Sequence, residues 1–108
     1  MNPVIQRISK PGGVLLLINV EVIDPQRFGE YVKGHLPTIS QFGGKIIFQS
    51  SRTRPLEGEW EARDILVIHQ WESQEQLMKW YHSEEYAPWK ALRQTAARVN
   101  ATICEQMT

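Results

Sequence analysis

Apolar positions along this chain recur with two different periods. In VLLLINVEV (14–22), Val14, Leu16, Ile18, Val20 and Val22 share one side of an extended chain. Leu15, Leu17, Asn19 and Glu21 share the other. The run is rich in aliphatic and β-branched residues and predicts a strand covered on both sides for much of its length. RDILVIHQW (63–71) repeats the pattern, with Arg63, Ile65, Val67, His69 and Trp71 on one side and Asp64, Leu66, Ile68 and Gln70 on the other. KIIFQSSRT (45–53) and NATICEQM (100–107) predict two further strands. Elsewhere the period lengthens: Phe28, Tyr31, Val32, Leu36, Ile39 and Phe42 recur at roughly helical spacing.

Local signals punctuate these periods. Asp24-Pro25 supplies an N-cap and a first-turn proline. Pro37 lies inside the helical pattern and is expected to kink or break it near His35-Leu36. Gly43-Gly44 ends the pattern, with Gly43 free to adopt the left-handed conformation. The polar stretch RPLEGEWEA (54–62) reads as a long hairpin connection. Ser73-Gln74-Glu75-Gln76 is a capping box, opening a helix that carries Leu77, Trp80 and Tyr81 on one side. Ser83 is a second N-cap candidate, followed by Glu84 and Glu85 where a helix start favours negative charge, and the helix beyond it is expected to run to about Arg98. Pro88 predicts an irregular first turn.

The order is strand, helix, strand, strand, two helical pieces, strand. This is an α+β pattern, the ferredoxin-like split βαβ sandwich with a four-stranded antiparallel sheet and its helices on one face. Residues 1–13, ending in Lys10-Pro11-Gly12-Gly13, read as a flexible lead-in, and 14–108 as a single domain. One helical layer covers one face of a sheet. The central strands are apolar on both, so the uncovered face predicts a two-fold homodimer with the sheets packed together. Polar interruptions, chiefly Asn19, Glu21 and part of 63–71, are expected to line a cavity between sheet and helices.

Composition narrows the partners. Twelve basic and twelve acidic residues cancel, leaving no footprint for nucleic acid or an anionic membrane. The longest apolar run, Val14 to Ile18, is too short to span a bilayer, and the N-terminus lacks the pattern of a signal peptide. One cysteine, Cys104, cannot form an internal disulfide. A cytoplasmic location is the expectation.

Candidate chemistry is sparse. His35, His69 and His82 have no metal-ligand spacing, and neither a phosphate-binding glycine loop nor a Gly-x-Ser-x-Gly nucleophile signature occurs. Cys104 reads as a small buried hydrophobe. His35, at the Pro37 interruption, has a side chain whose pKa of about 6.5 suits acid or base work at neutral pH, or it is a hydrogen-bonded helix residue. His69, on a central strand, reads as a core residue or a cavity group. Tyr31, Tyr81 and Tyr86 can present hydroxyls to a substrate or fill core, with Tyr81 reading first as core. Arg63 can recognise a carboxylate or pair with Glu61 or Asp64. Arg93 reads as a brace for Glu85 or Tyr86.

Several of these residues also carry a resemblance. Tyr31, Gly43-Gly44, Leu56-Glu57-Gly58, Arg63 before an apolar strand, Trp80-Tyr81-x-Ser83-x-x-Tyr86 and Arg93 stand in an order similar to a small bacterial family, domain of unknown function 1330, of the dimeric α/β-barrel superfamily. The resemblance spans roughly residues 14–105. It implies the ferredoxin-like fold and a sheet-to-sheet dimer, a dimeric α/β barrel. Superfamily relatives include cofactor-free monooxygenases, muconolactone isomerase and haem-binding enzymes, an analogy of fold alone.

Two functions therefore stand as expectations. One is a cofactor-free isomerase or monooxygenase-like enzyme acting on a small apolar or carbonyl metabolite, with His35 and Tyr86 catalytic, Asn19, Tyr31 and Arg63 binding substrate, and no metal. The alternative is a non-catalytic ligand-binding or stress-related domain whose cavity holds an apolar compound. A filled interior would leave a purely structural dimer.

Overall fold

Each predicted strand and helix is present in the computed structural model, which describes residues 12–107. The lead-in expected over 1–13 lies, as far as residue 11, outside them. The elements are β1 (Val14–Val22), α1 (Pro25–Gln41), β2 (Lys45–Ser50), β3 (Ile65–Trp71), α2 (Gln74–Tyr81), α3 (Ala87–Ala96) and β4 (Ala97–Glu105). The four strands form one sheet in the order β2-β3-β1-β4, each neighbouring pair antiparallel. This is the α+β, ferredoxin-like arrangement that the element order predicts.

The caps of α1 and α2 fall where the sequence places them, whereas α3 begins at Ala87, after a turn over 84–86, and not directly after Ser83. Asp24 Oδ1 accepts from the Arg27 amide at 3.2 Å, and Ser73 Oγ from the Gln76 amide at 3.0 Å. Gly43 has φ +86°, so α1 closes with its Gly44 amide donating to the Ile39 carbonyl at 2.9 Å. Ser83 joins the last two helices. Its hydroxyl donates to the Trp80 carbonyl at 2.7 Å and accepts from the Tyr86 amide at 3.1 Å.

Two expectations need correction, and one local feature of β2 goes beyond them. Helix α1 does not break at His35-Leu36 but runs through Pro37 to Gln41. Pro37 and Lys33, whose carbonyl loses its helical donor, are both exposed, the side on which a missing bond costs least. The last helix ends at Ala96 instead of near Arg98, and β4 begins three residues earlier than predicted. There, Ala97, Arg98 and Val99 pair with Val22, Glu21 and Val20, so that β4 pairs along the full length of β1. Finally, a bulge at Ile47 shifts the register of β2 against β3. Simple alternation would put Ile46 and Phe48 on one face; the extra residue sends Phe48 to the opposite face, beside Ile68.

The helices cover the face carrying Val14, Leu16, Val20, His69 and Trp71, and the core forms there with Ile39, Leu77, Trp80 and Tyr86. Glycine makes two close approaches possible. A Cβ on Gly44 would lie about 2.5 Å from the Trp71 ring, and one on Gly34 would overlap the Trp89 ring. The other face carries Leu15, Leu17, Leu66, Ile68 and Phe48. It has no covering layer among the described residues, and Phe48 is 51% exposed.

Candidate functional site

Between the helices and the covered sheet face lies a cavity of about 200 Å³. Most of its wall is aliphatic or aromatic, supplied by Leu16, Ile18 and Val20 of β1, Ile65 and Val67 of β3, and Phe28 of α1. Four polar groups lie on the helical side, Tyr31 and His35 from α1, Tyr86 from the turn before α3 and Arg93 from α3, while Gln49 of β2 and His69 of β3 line the sheet side. A seventeen-residue α1 places Tyr31 and His35 four positions apart, one turn above each other on the same helix face.

These side chains touch. The Tyr31 and Tyr86 hydroxyls lie 2.8 Å apart, and Arg93 Nη1 donates to Tyr86 Oη at 3.0 Å. The His35 ring stacks on Tyr31, with centroids 4.1 Å apart and planes 10° from parallel. Tyr86 is stacked in turn on Trp80 at 4.1 Å. Trp80 is fixed by its indole N–H, which donates to Thr38 Oγ1 at 2.9 Å, while that hydroxyl donates to the His35 carbonyl at 2.6 Å. The cluster is thus braced from α1, α2 and α3 together.

Hydrogen bonding settles the proton positions. His35 Nδ1 lies 2.9 and 3.1 Å from the carbonyls of Tyr31 and Val32, which only accept, so Nδ1 carries the proton. The lone pair is then on Nε2, the nitrogen not engaged by α1. Burial, reinforced by the nearby Arg93 charge, holds His35 below its ordinary range, so the imidazole is neutral at pH 7. Burial raises Tyr31, and Tyr86 and its hydrogen bond raise it further. Burial likewise raises Tyr86 against the opposing pull of Arg93. Both therefore stay phenols. Two hydroxyls share one hydrogen bond, which leaves one of their two protons for a third acceptor.

His69 forms the cavity floor beside Leu16 and Ile46. It is fully buried, and its Nδ1 has no hydrogen-bond partner among the described residues. Burial, with His35 nearby, pushes it down to about 4. Among the described residues, no group of three or more His, Cys, Asp or Glu side chains could hold a metal ion, and no helix is long and apolar enough to cross a membrane.

Three of the five site residues named from sequence, Tyr31, His35 and Tyr86, meet around this cavity. Asn19 and Arg63 do not reach it. Asn19 lies on the uncovered face, donating from Nδ2 to the Ile65 carbonyl at 3.0 Å and accepting at Oδ1 from the Arg63 amide at 3.0 Å. Glu21, on the same face, pairs with Arg98 at 3.3 Å. The side chain of Arg63 is exposed beside the 51–64 loop. Arg93 braces Tyr86 as the sequence suggests, but it also lines the cavity, which its helical position alone does not reveal.

Comparison with known proteins fixes the family. Residues 13–107 match the model of the family described as domain of unknown function (DUF1330), and the chain belongs to that family. No curated protein matches the chain. A solved structure of RPA0582, a protein of unknown function from Rhodopseudomonas palustris, is similar with a TM-score of 0.79 and 17% identity, over 94% of this chain and 87% of that one. SnoaB, a cofactor-independent oxygenase from Streptomyces nogalater, is similar with a TM-score of 0.63 and 8% identity, over 90% and 95% of the two chains. A dimeric protein of unknown function with a ferredoxin-like fold, from Bacteroides fragilis, gives 0.56 and 8%, over 88% and 97%. At these identities the likeness is one of fold.

Proposed function

We propose that this member of the DUF1330 family is a cofactor-free enzyme that moves a proton on a small carbonyl metabolite, in the manner of an isomerase or of the first step of a cofactor-independent oxygenase. The observation that carries this reading is the pairing of a proton acceptor with a proton donor in one largely apolar cavity. His35, its Nδ1 proton committed to backbone carbonyls, offers Nε2 as the base. The unshared hydroxyl proton of the Tyr31–Tyr86 pair donates to the carbonyl oxygen, where negative charge develops as the adjacent C–H bond breaks. The electron pair of that bond becomes the enolate, and the proton resides on His35 until it is returned to the same or another carbon. The apolar surround strengthens both interactions by excluding water.

The protein works in this reading as a homodimer joined through the uncovered sheet faces. Leu15, Leu17, Leu66, Ile68 and the half-exposed Phe48 form the apolar stripe that such a joint buries. A dimeric protein of the same fold among the structural neighbours supports it.

The test is deuterium wash-in at the activated carbon of phenylacetone, a neutral one-ring ketone, followed by NMR in heavy water. The wild type is expected to accelerate exchange above buffer. His35→Ala should lose about 10²- to 10⁴-fold of that acceleration and Tyr86→Phe a smaller share. If phenylacetone binds, by saturation-transfer NMR, but exchanges at the buffer rate, the protein is a ligand carrier and the catalytic reading fails.

A further inference from the structure

The proposed reaction does not require a cation in the cavity wall, yet one is there. Arg93 is partly buried, and the ion pairs among the described residues are Arg27–Asp24, Lys79–Glu75 and Arg98–Glu21. None involves Arg93. Its polar surroundings are the hydroxyls of Tyr31, Tyr81 and Tyr86 and the ring of His35. None of these is a carboxylate, and His35 is neutral, so the guanidinium has no acidic counter-charge among them. Arg93 keeps part of its contact with water, but the donors it turns toward the apolar cavity have lost theirs, and an anion placed there would replace it. Guanidinium carries five N–H donors, and the contact with Tyr86 uses one.

The rest of the corner has the same character. The tyrosine pair has one proton to give and Arg93 several, so the helical side of the cavity is rich in donors and positive. The opposite wall presents Leu16, Ile18 and Val67, with the neutral His69 at its floor and Gln49 at its β2 side. Size adds a limit. Cavities near 150 Å³ hold benzene, so about 200 Å³ suits one ring with a short substituent.

We propose that the cavity selects a single-ring carboxylate, its carboxyl group held by Arg93 and its ring seated against Leu16, Ile18 and Val67. The assignment rests on the proposed reaction only in locating the site, and it specifies the substrate class as a ring-bearing oxo acid instead of a neutral ketone. A carboxylate, unlike a phenol, is fully ionised at neutral pH, and its two oxygens match the guanidinium fork. Arg93 is here a binding residue. Its charge sets which molecule enters, while His35 and the tyrosines act on it.

Benzoate and benzamide, nearly identical in shape and different in charge, are the probes. Titration of the wild type at pH 7 and low salt should show benzoate binding at least about 10-fold more tightly than benzamide. Arg93→Gln should reduce benzoate to the benzamide level without weakening benzamide, and Arg93→Lys should restore part of the difference. Equal binding of the two probes to the wild type overturns the proposal, as does absence of binding by either. So does a preference for benzoate that survives Arg93→Gln. The wild-type comparison stands even if the variants do not fold. Deuterium exchange is read separately: exchange into phenylacetone without a carboxylate preference removes only the substrate class, and a carboxylate preference without exchange into either phenylacetone or the oxo acid phenylpyruvate removes only the catalysis.

Discussion

The two faces of this sheet are built from the same kind of residue and end in different surroundings. On the covered face, Leu16, Ile18 and Val67 meet a helical layer that brings two phenols, an imidazole and a guanidinium to them. On the other, Leu15, Leu17, Leu66, Ile68 and Phe48 meet no second layer among the described residues. The polar groups near them, Asn19 and Glu21, are spent on Ile65, Arg63 and Arg98. Apolarity alone does not distinguish a ligand cavity from an assembly surface. What distinguishes them is whether the adjoining polar groups retain unspent donors and acceptors. His35 Nε2, one tyrosine proton and most of Arg93 are unspent; Asn19 has its oxygen and one amide proton engaged at once.

Separating the faces by mutation is the sharpest way to break this contrast. Ile68→Asp sits on the uncovered face, and a two-fold axis would place it in the joint twice. Association should weaken by more than about 5 kcal/mol, read as a halving of mass by light scattering, because each buried carboxylate lacks a partner. Benzoate binding should persist in the resulting monomer. A dimer that survives Ile68→Asp would place the joint elsewhere.

A complementary change on the covered face acts on stability. Trp80→Ala removes a fully buried ring, the stack on Tyr86 and the bond to Thr38, and should cost about 4 kcal/mol in chemical denaturation. Leu17→Ala, on the open face, should cost about 1 kcal/mol or less in the dissociated chain. Equal losses would mean that the faces are not differently packed.

Protonation separates the faces as well. His69 is held neutral by burial, down to about 4 from 6.5, and His35 is lowered in the same direction. The unfolded chain therefore binds more protons than the folded one between about pH 6.5 and 4, and stability falls as pH falls through that window. For His69 the full loss is about 3 kcal/mol. Denaturation at pH 7 and pH 4.5 should show most of that loss in the wild type and a flatter response in His69→Leu. An unchanged slope in the variant would assign the acid sensitivity to other groups.

Much of this was legible from the residues. Asp24-Pro25, Gly43 and Ser73 mark element ends through short-range chemistry, and short-range chemistry is what a sequence carries openly. Alternation showed which side chains share a face, but not which face the helices would cover. Leu15, Leu17 and Asn19 are related to Leu16, Ile18 and Val20 by one residue of shift, and both sets are mostly apolar. Asn19 was accordingly expected in the cavity and lies on the other side. The Ile47 bulge was invisible for a related reason: nothing in KIIFQS departs from strand composition. Tyr31, His35 and Tyr86 could be named because their chemistry is unusual. Arg93 could be named as a brace only, since its missing counter-charge is a property of what α3 packs against.

Asn19 offers the smallest effect and a close check on the contrast. Its side chain joins β1 to the start of β3 through two hydrogen bonds, each 3.0 Å long, on the uncovered face. Asn19→Ala removes both and leaves the Ile65 carbonyl and the Arg63 amide at the exposed sheet end, where water can replace the lost partner. A destabilisation of about 1–2 kcal/mol is expected, with benzoate affinity and deuterium exchange unchanged. If Asn19→Ala instead weakens benzoate 10-fold while its stability holds, the ligand reaches the uncovered face. The division of labour between the two faces would then be wrong.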